Sequence, residues 1–231
     1  MTSESVSATR QQLEAAIAAQ EGLRATLGDS VVDATIGVLR AQLSRLAEVE
    51  QQRKLATVLF MDVVGSTNLM RGRDPEETMA IMDSALARLA VPVGEHGGRV
   101  TRFMGDGFMA VFGLPTAQEN DPEMAIRAGL ETIGVANDLA AELEEHEGVS
   151  GFTVRVGINT GEMVVGNMGT AQKMDYTIMG NSVNLASRLE GVNKQYGTWT
   201  LITDETYREG GSDFVVRQMD RVRVVGISQP V

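Results

Sequence analysis

The stretch Leu55–Thr67, LATVLFMDVVGST, constrains this chain more than any other. It is an apolar, β-branched run with no break before Asp62, followed by a tight Gly65-Ser66-Thr67 turn. A run of that kind, apolar on successive rather than alternate positions, predicts a central strand buried on both faces. A second stretch, Arg102–Phe112, RFMGDGFMAVF, holds two short apolar runs around Gly105-Asp106-Gly107 and predicts a hairpin. Each stretch puts one carboxylate at a strand tip, beside glycines that let a ligand approach the backbone. Taken singly, Asp62 and Asp106 are ordinary turn aspartates. Together, each beside a strand that predicts burial, they call for a cation or hydrogen-bond donors. Two carboxylates with waters and phosphate oxygens make a Mg²⁺ site, because that ion keeps its waters and uses few protein ligands.

Composition excludes several alternatives. A chain of 231 residues is long enough for one well-cored domain and an accessory segment. The net charge of −11 argues against non-specific nucleic-acid binding, which needs a basic surface. With no cysteine, disulfides and thiolate metal sites are out, and with only His96 and His146 a zinc site or a Ser-His triad is disfavoured. No apolar run reaches the length of about 18 residues that a membrane span requires. The opening MTSESVSATR lacks the apolar core of a signal peptide, so the expected compartment is the cytoplasm. There is no GxxxxGK[ST], hence no P-loop, and Gly105-x-Gly107 is not a dinucleotide fingerprint.

Residues 1–54 contain no aromatic side chain and are rich in Ala, Leu, Gln, Glu and Arg. Leu13, Ile17 and Leu23 suggest one helix ending near Gly28, and Asp29 or Ser30 caps a second. In the second, Val32, Ile36, Leu39, Leu43 and Leu46 follow a 4-3-4-3 spacing, an a/d seam that favours a coiled coil over an amphipathic helix packed on its own domain. We therefore divide the chain into a helical, coiled-coil-like regulatory or dimerisation segment, 1–54, and a second domain, 55–231. In the latter, Asp74-Pro75 opens a helix with Asp74 as N-cap, and Asp121-Pro122-Glu123 opens another. Phe152–Ile158 and Met163–Gly166 read as two strands joined by a turn at Gly161-Glu162. Gly169–Asp175 reads as a loop or arm, and Tyr176–Gly180 as a strand and turn. Asn181 or Ser182 caps a helix, Trp199–Ile202 is a strand, a short helix begins near Asp204, and Phe214–Val216 and Arg221–Val225 are later strands. Strands interleaved with helices and hairpins make an α+β or mixed fold.

Gly65, Ser66 and Thr67 offer backbone N–H groups and hydroxyls to a phosphate. Asn184 and Arg188 lie four apart and so share one helix face. Arg can fork two phosphate oxygens and Asn can bond a sugar, although on their own the two are equally a polar face in water.

VLFMDVVGST, RFMGDGFMAVFG, VRVGINTGEMVVGNMG and DYTIMGNSVNLASRLEG, in this order and spacing, resemble the class III adenylate and guanylate cyclase catalytic domain over roughly residues 55–226. The resemblance implies a ferredoxin-like α+β domain with a central, mostly antiparallel sheet flanked by helices. It implies conversion of ATP to 3′,5′-cyclic AMP and pyrophosphate by a homodimer with Mg²⁺ or Mn²⁺, two ions in each shared site. Asp62 and Asp106 match the metal aspartates, with the Val63 carbonyl completing one shell. Asn184 matches the residue that orients the ribose and Arg188 the transition-state arginine, both supplied by the partner chain. Thr177 falls at the purine-selecting position, as in the bacterial branch that reads adenine with threonine. Two positions depart from the pattern. Arg102 stands where adenylate cyclases carry lysine and guanylate cyclases glutamate, and Val225 stands where a phosphate-binding lysine is usual. They keep two alternatives open: a low-activity regulatory or nucleotide-binding module, and a relaxed-specificity or guanylate cyclase. The N-terminal segment resembles the helical leader of such domains and implies a sensor or partner acting through it.

Overall fold

The computed structural model describes residues 3–50, 52–66, 72–170 and 173–222. It divides into two compact units, Met1–Arg53 with Val164–Ile178, and Lys54–Met163 with Met179–Val231.

In the first unit α1 (Ser3–Gly22), a single turn α2 (Arg24–Leu27) and α3 (Asp29–Glu50) follow one another, and α1 packs on α3. Arg24 ties the junction together through ion pairs to Glu21, Asp29 and Asp33. Of the a/d seam, Val32 and Ile36 are buried while Leu39 and Leu43 are half-buried, and the Leu46 side chain lies outside the described residues. The sequence expectation of one helix ending near Gly28 is corrected to two, α1 and α2, broken at Leu23.

The second unit is built around β1 (Gln52–Val63), whose residues Ala56 to Met61 and Val63 are buried. Antiparallel to it runs β3 (Gly107–Phe112), which forms the expected hairpin with β2 (Arg99–Met104). On the other side of β1 lies β4 (Val154–Thr170), and β6 (Thr200–Ile202) pairs with β4 in parallel. The order β2-β3-β1-β4 makes a mostly antiparallel sheet. Leu59, Met61 and Val63 of β1 and Phe108, Ala110 and Phe112 of β3 face α4 (Pro75–Leu89), α5 (Val91–Glu95) and α6 (Asp121–Glu147) in the main core. The expected cap is present: Asp74 Oδ1 accepts from Glu76 N at 2.9 Å, with Pro75 in the first turn. His96 caps α5 and bonds Glu131 through Nε2 at 2.8 Å. A smaller cluster joins Leu185 and Leu189 of α7 (Asn181–Tyr196) to Val192, Leu201 and Val222. The helix α8 (Asp204–Gly210) is capped by Thr203, whose hydroxyl accepts from Thr206 N.

Four local expectations are corrected. Gly161-Glu162 is no turn, for β4 runs through it without interruption. A Cβ on Gly161 would lie 2.6 Å from Ser182 Oγ, so the glycine is there to admit a helix end. Of the two readings of Gly169–Asp175, loop or arm, the loop is set aside, for these residues are strand wherever described, at the end of β4 and the start of β5 (Lys173–Met179). Helix α7 has Gly180 as N-cap with no side-chain cap, because Ser182 Oγ donates instead to Glu162 O at 2.8 Å. Phe214–Val216 forms no strand, nor do Arg221 and Val222, and residues 223–225 lie outside the described residues.

Candidate active site

The register that aligns β1 with β3 sets Asp62 opposite Gly107. Val63 N donates to the Asp106 carbonyl at 3.0 Å, which fixes the β2–β3 turn against the end of β1. A Cβ at residue 107 would fall 2.3 Å from Met61 O and 2.8 Å from Asp62 Oδ1. The glycine is therefore what lets the two acidic tips close on each other. Beyond β1, Gly65 turns with φ +66° and is exposed, and Ser66 Oγ donates to Asp106 Oδ2.

This pair is electrostatically costly when empty of cations. Burial, then the charge of Asp106, pushes the half-buried Asp62 carboxyl up to about 7; Glu190 adds to the effect and Arg155 opposes it. Glu190, on α7, is also raised, chiefly by burial and further by Asp106, again against Arg155. Arg155, on β4, has a buried Nε with no hydrogen-bond partner. Three carboxylates and one guanidinium thus act on one another, leaving surplus negative charge that a divalent cation would offset. Among the described residues no group of three or more acidic or histidine side chains could hold a metal by itself. An ion here would rest on Asp62 and Asp106 and on oxygens from backbone, water and substrate, a donor set that suits Mg²⁺ or Mn²⁺.

Not every expected residue joins this group. Asn184 is exposed on α7 and Arg188 half-buried, while the charges that bear on Asp62 are those of Asp106, Glu190 and Arg155. Arg102 is exposed on β2, just past a register irregularity between Val100 and Arg102, and its neighbours Phe103 and Met104 are 55% and 38% exposed. Thr177 lies in β5 with its side chain outside the described residues, as are Thr67 and Val225. Sequence reasoning missed Arg155 and Glu190. The signal for Arg155 was a cation among apolar residues of a strand, FTVRVGI, flanked by positions that are buried.

The family model described as "Adenylate and Guanylate cyclase catalytic domain" matches residues 48–230. Adenylate cyclase 1 of Rhizobium meliloti is 37% identical over 151 residues, 64% of this chain and 22% of that protein. The chain spans about a fifth to a third of the length of the curated relatives it matches first. The crystal structure of the adenylyl cyclase CyaB from P. aeruginosa superposes with a TM-score of 0.73 at 33% identity, covering 78% of this chain and 92% of that one. That of the guanylyl cyclase Cya2 gives 0.71 at 31%, covering 78% and 90%. No helix among the described residues is long and apolar enough to cross a membrane. With the fold, the paired aspartates and the match over most of its length in agreement, the chain belongs to the class III adenylate and guanylate cyclase catalytic domain family.

Proposed function

We propose that the chain is an adenylate cyclase that converts ATP to 3′,5′-cyclic AMP and pyrophosphate at sites shared across a homodimer. The observation that carries this reading is the closure of Asp62 on Asp106, with Ser66 bonded to Asp106 and the charge of Arg155 acting on Asp62. Asp62, Asp106 and the Val63 carbonyl would hold two Mg²⁺ or Mn²⁺ ions, which when bound supply Lewis acidity to the ribose 3′-hydroxyl and charge neutralisation to the triphosphate. The chain's own groups do the rest. Gly65, Ser66 and Thr67 present N–H groups and hydroxyls to phosphate oxygens. Arg155, whose charge bears on Asp62 and Glu190, would add positive charge towards the triphosphate. Asn184 orients the ribose, and Arg188 meets the charge growing on the α-phosphate, where a fixed donor counts most.

Asn184 and Arg188 serve the other chain's carboxylates. In support, the edge strand β2 exposes the apolar Phe103 and Met104, a surface suited to cover by a second chain. Arg102 and Thr177 would select the adenine ring, and the N-terminal helices would carry the signal of a sensor or partner. The expected compartment is the cytoplasm.

Purified protein given ATP or GTP with Mg²⁺ or Mn²⁺, with products resolved by chromatography, tests the reading. Cyclic AMP from ATP is expected, and absence of product from ATP overturns it. A second reading, relaxed specificity, is favoured by Arg102 in place of lysine and by the likeness to a guanylyl cyclase at 31% identity. Cyclic GMP formed at a comparable rate would establish it.

A further inference from the structure

Behind the site runs a buried chain of hydrogen bonds whose direction the atoms dictate. Asn159 of β4 is 3% exposed. Its Nδ2 donates to the Ser182 carbonyl in the first turn of α7 at 2.9 Å, and its Oδ1 accepts from Thr203 Oγ1 at 2.8 Å. The opposite amide orientation would set oxygen against the Ser182 carbonyl, two acceptors with no proton between them. The hydroxyl proton of Thr203 is therefore committed to Asn159, so at the 3.0 Å contact between Thr203 Oγ1 and Thr206 Oγ1 the proton belongs to Thr206. Thr206 Oγ1 in turn accepts from Thr160 N at 2.8 Å, and Thr160 Oγ1 meets Thr57 Oγ1 of β1 at 2.9 Å. From the Thr160 amide onwards each donor is used in one sense, through the cap of α8 to α7, whereas either hydroxyl can donate in the Thr57–Thr160 pair.

The same helix is held at its far end, where Asn193 Nδ2 donates to Val156 O at 2.9 Å. Midway, a Cβ on Gly157 would lie 2.4 Å from Ala186 O and from Glu190 N, so strand and helix backbones touch. Asn184 and Arg188 project from this anchored helix, within two and six residues of Ser182. We propose that Asn159 is a positioning residue: its carboxamide sets the seat of α7, and thereby where Asn184 and Arg188 stand. Neither Asp62 nor Asp106 hydrogen-bonds any member of the chain; α7 reaches that pair only through the charge of Glu190, which bears on Asp62 from within the same protomer. The inference rests on the reading that α7 serves the other chain's carboxylates, and it predicts in which chain of a dimer the damage is felt.

The test uses the isosteric Asn159→Asp, which when ionised sets an acceptor against the Ser182 carbonyl, with Asn159→Ser, too short to reach that carbonyl, run beside it at every pH. In the full-length homodimer kcat should fall about 10- to 100-fold, as for a catalytic group displaced by about 1 Å. Affinity for a non-cyclisable ATP analogue should stay within about threefold, since the chain's own carboxylates and Arg155 are intact. Loss of analogue binding together with kcat, or no change in kcat, overturns the proposal. Heterodimers carrying two tags then locate the defect. Asn159→Asp paired with Asp62→Ala leaves one site with sound carboxylates and a sound α7, and activity should return. Asn159→Asp paired with Arg188→Ala leaves no sound site, and activity should stay low. Recovery with Arg188→Ala instead, or with neither partner, overturns the proposal. Asp62→Ala with Arg188→Ala is the control. If that pair fails to recover, the shared-site reading falls, and the split between kcat and analogue binding in the homodimer still decides for or against Asn159. Should Asn159→Asp not fold by circular dichroism, Asn159→Ser takes its place in every arm.

Discussion

Replacing Asp62 by Asn should make the metal-free protein more stable while abolishing turnover. In the absence of cations the Asp62 carboxyl titrates near 7 against an ordinary 3.8, because burial and the charge of Asp106 both oppose its ionisation. At full effect that gap corresponds to about 4 kcal/mol between the two protonation states. Asp62 is only half-buried, so solvent screening reduces the figure to about 2 kcal/mol. The sign follows from linkage. A carboxyl whose folded value is raised contributes stability that is complete below about pH 4 and is lost as pH rises through 7. Asn carries no such loss. In EDTA at pH 8, Asp62→Asn should melt about 4–8 °C above the parent, the shift that about 2 kcal/mol gives in a chain of this size. The difference should shrink towards zero by about pH 4–5, where the parent carboxyl is protonated. Millimolar Mg²⁺ or Mn²⁺ should raise the melting temperature of the parent and not of the variant, since a ligand that binds only the folded site stabilises it by mass action. Calorimetry at four or five pH values with and without metal checks all three. A variant that melts below the parent at pH 8 in EDTA, or an advantage that does not vary with pH, would refute the electrostatic account of the pair.

Four further outcomes are expected. Asp106→Ala should reduce product formation to background with an unchanged far-ultraviolet circular dichroism spectrum; retained turnover would remove Asp106 from the metal site. Gly107→Ala should destabilise the fold by about 1–3 kcal/mol in urea titration and lower activity, because the new methyl must displace Met61 O and the Asp62 carboxylate. Phe103→Glu should shift sedimentation towards monomer and lower activity at micromolar concentration, since it charges the exposed edge beside Arg102. Deletion of residues 1–50 should change the monomer–dimer equilibrium or the turnover rate, and identical behaviour of the truncated chain would sink the dimerisation role.

Some of this was legible because the physics is local. The unbroken apolar run ending at Asp62, the Gly105-Asp106-Gly107 hairpin and the Asp74-Pro75 helix start each carry their own cause, and the structure has all three. Glycine defeated the reading where its reason was not local. Gly161 gives the signal of a turn, but it answers to Ser182 on a helix two elements later. Ser182 gives the signal of a helix cap, but its hydroxyl is spent on Glu162 O. The site divides in the same way. Asp62 and Asp106 stand out as carboxylates at strand tips, whereas Arg155 and Glu190 show their meaning only through their mutual burial. The a/d seam of α3 identified Val32 and Ile36 as interior positions, but a seam does not name its partner, and here α1 packs on that helix.

The one-way hydrogen-bond chain through Thr160, Thr206, Thr203 and Asn159 has a consequence for how this protein can vary. The backbone ends of the chain are fixed, the Thr160 amide donating and the Ser182 carbonyl accepting, so the links through Thr206, Thr203 and Asn159 between them all run one way. Asn159 can become aspartate only as the neutral acid, whose O–H would replace the donor to the Ser182 carbonyl, and Thr203 cannot lose its hydroxyl without stranding the Asn159 oxygen. Positions 159, 203 and 206 should therefore drift as a set: among diverging sequences, compatible combinations survive and single exchanges are removed.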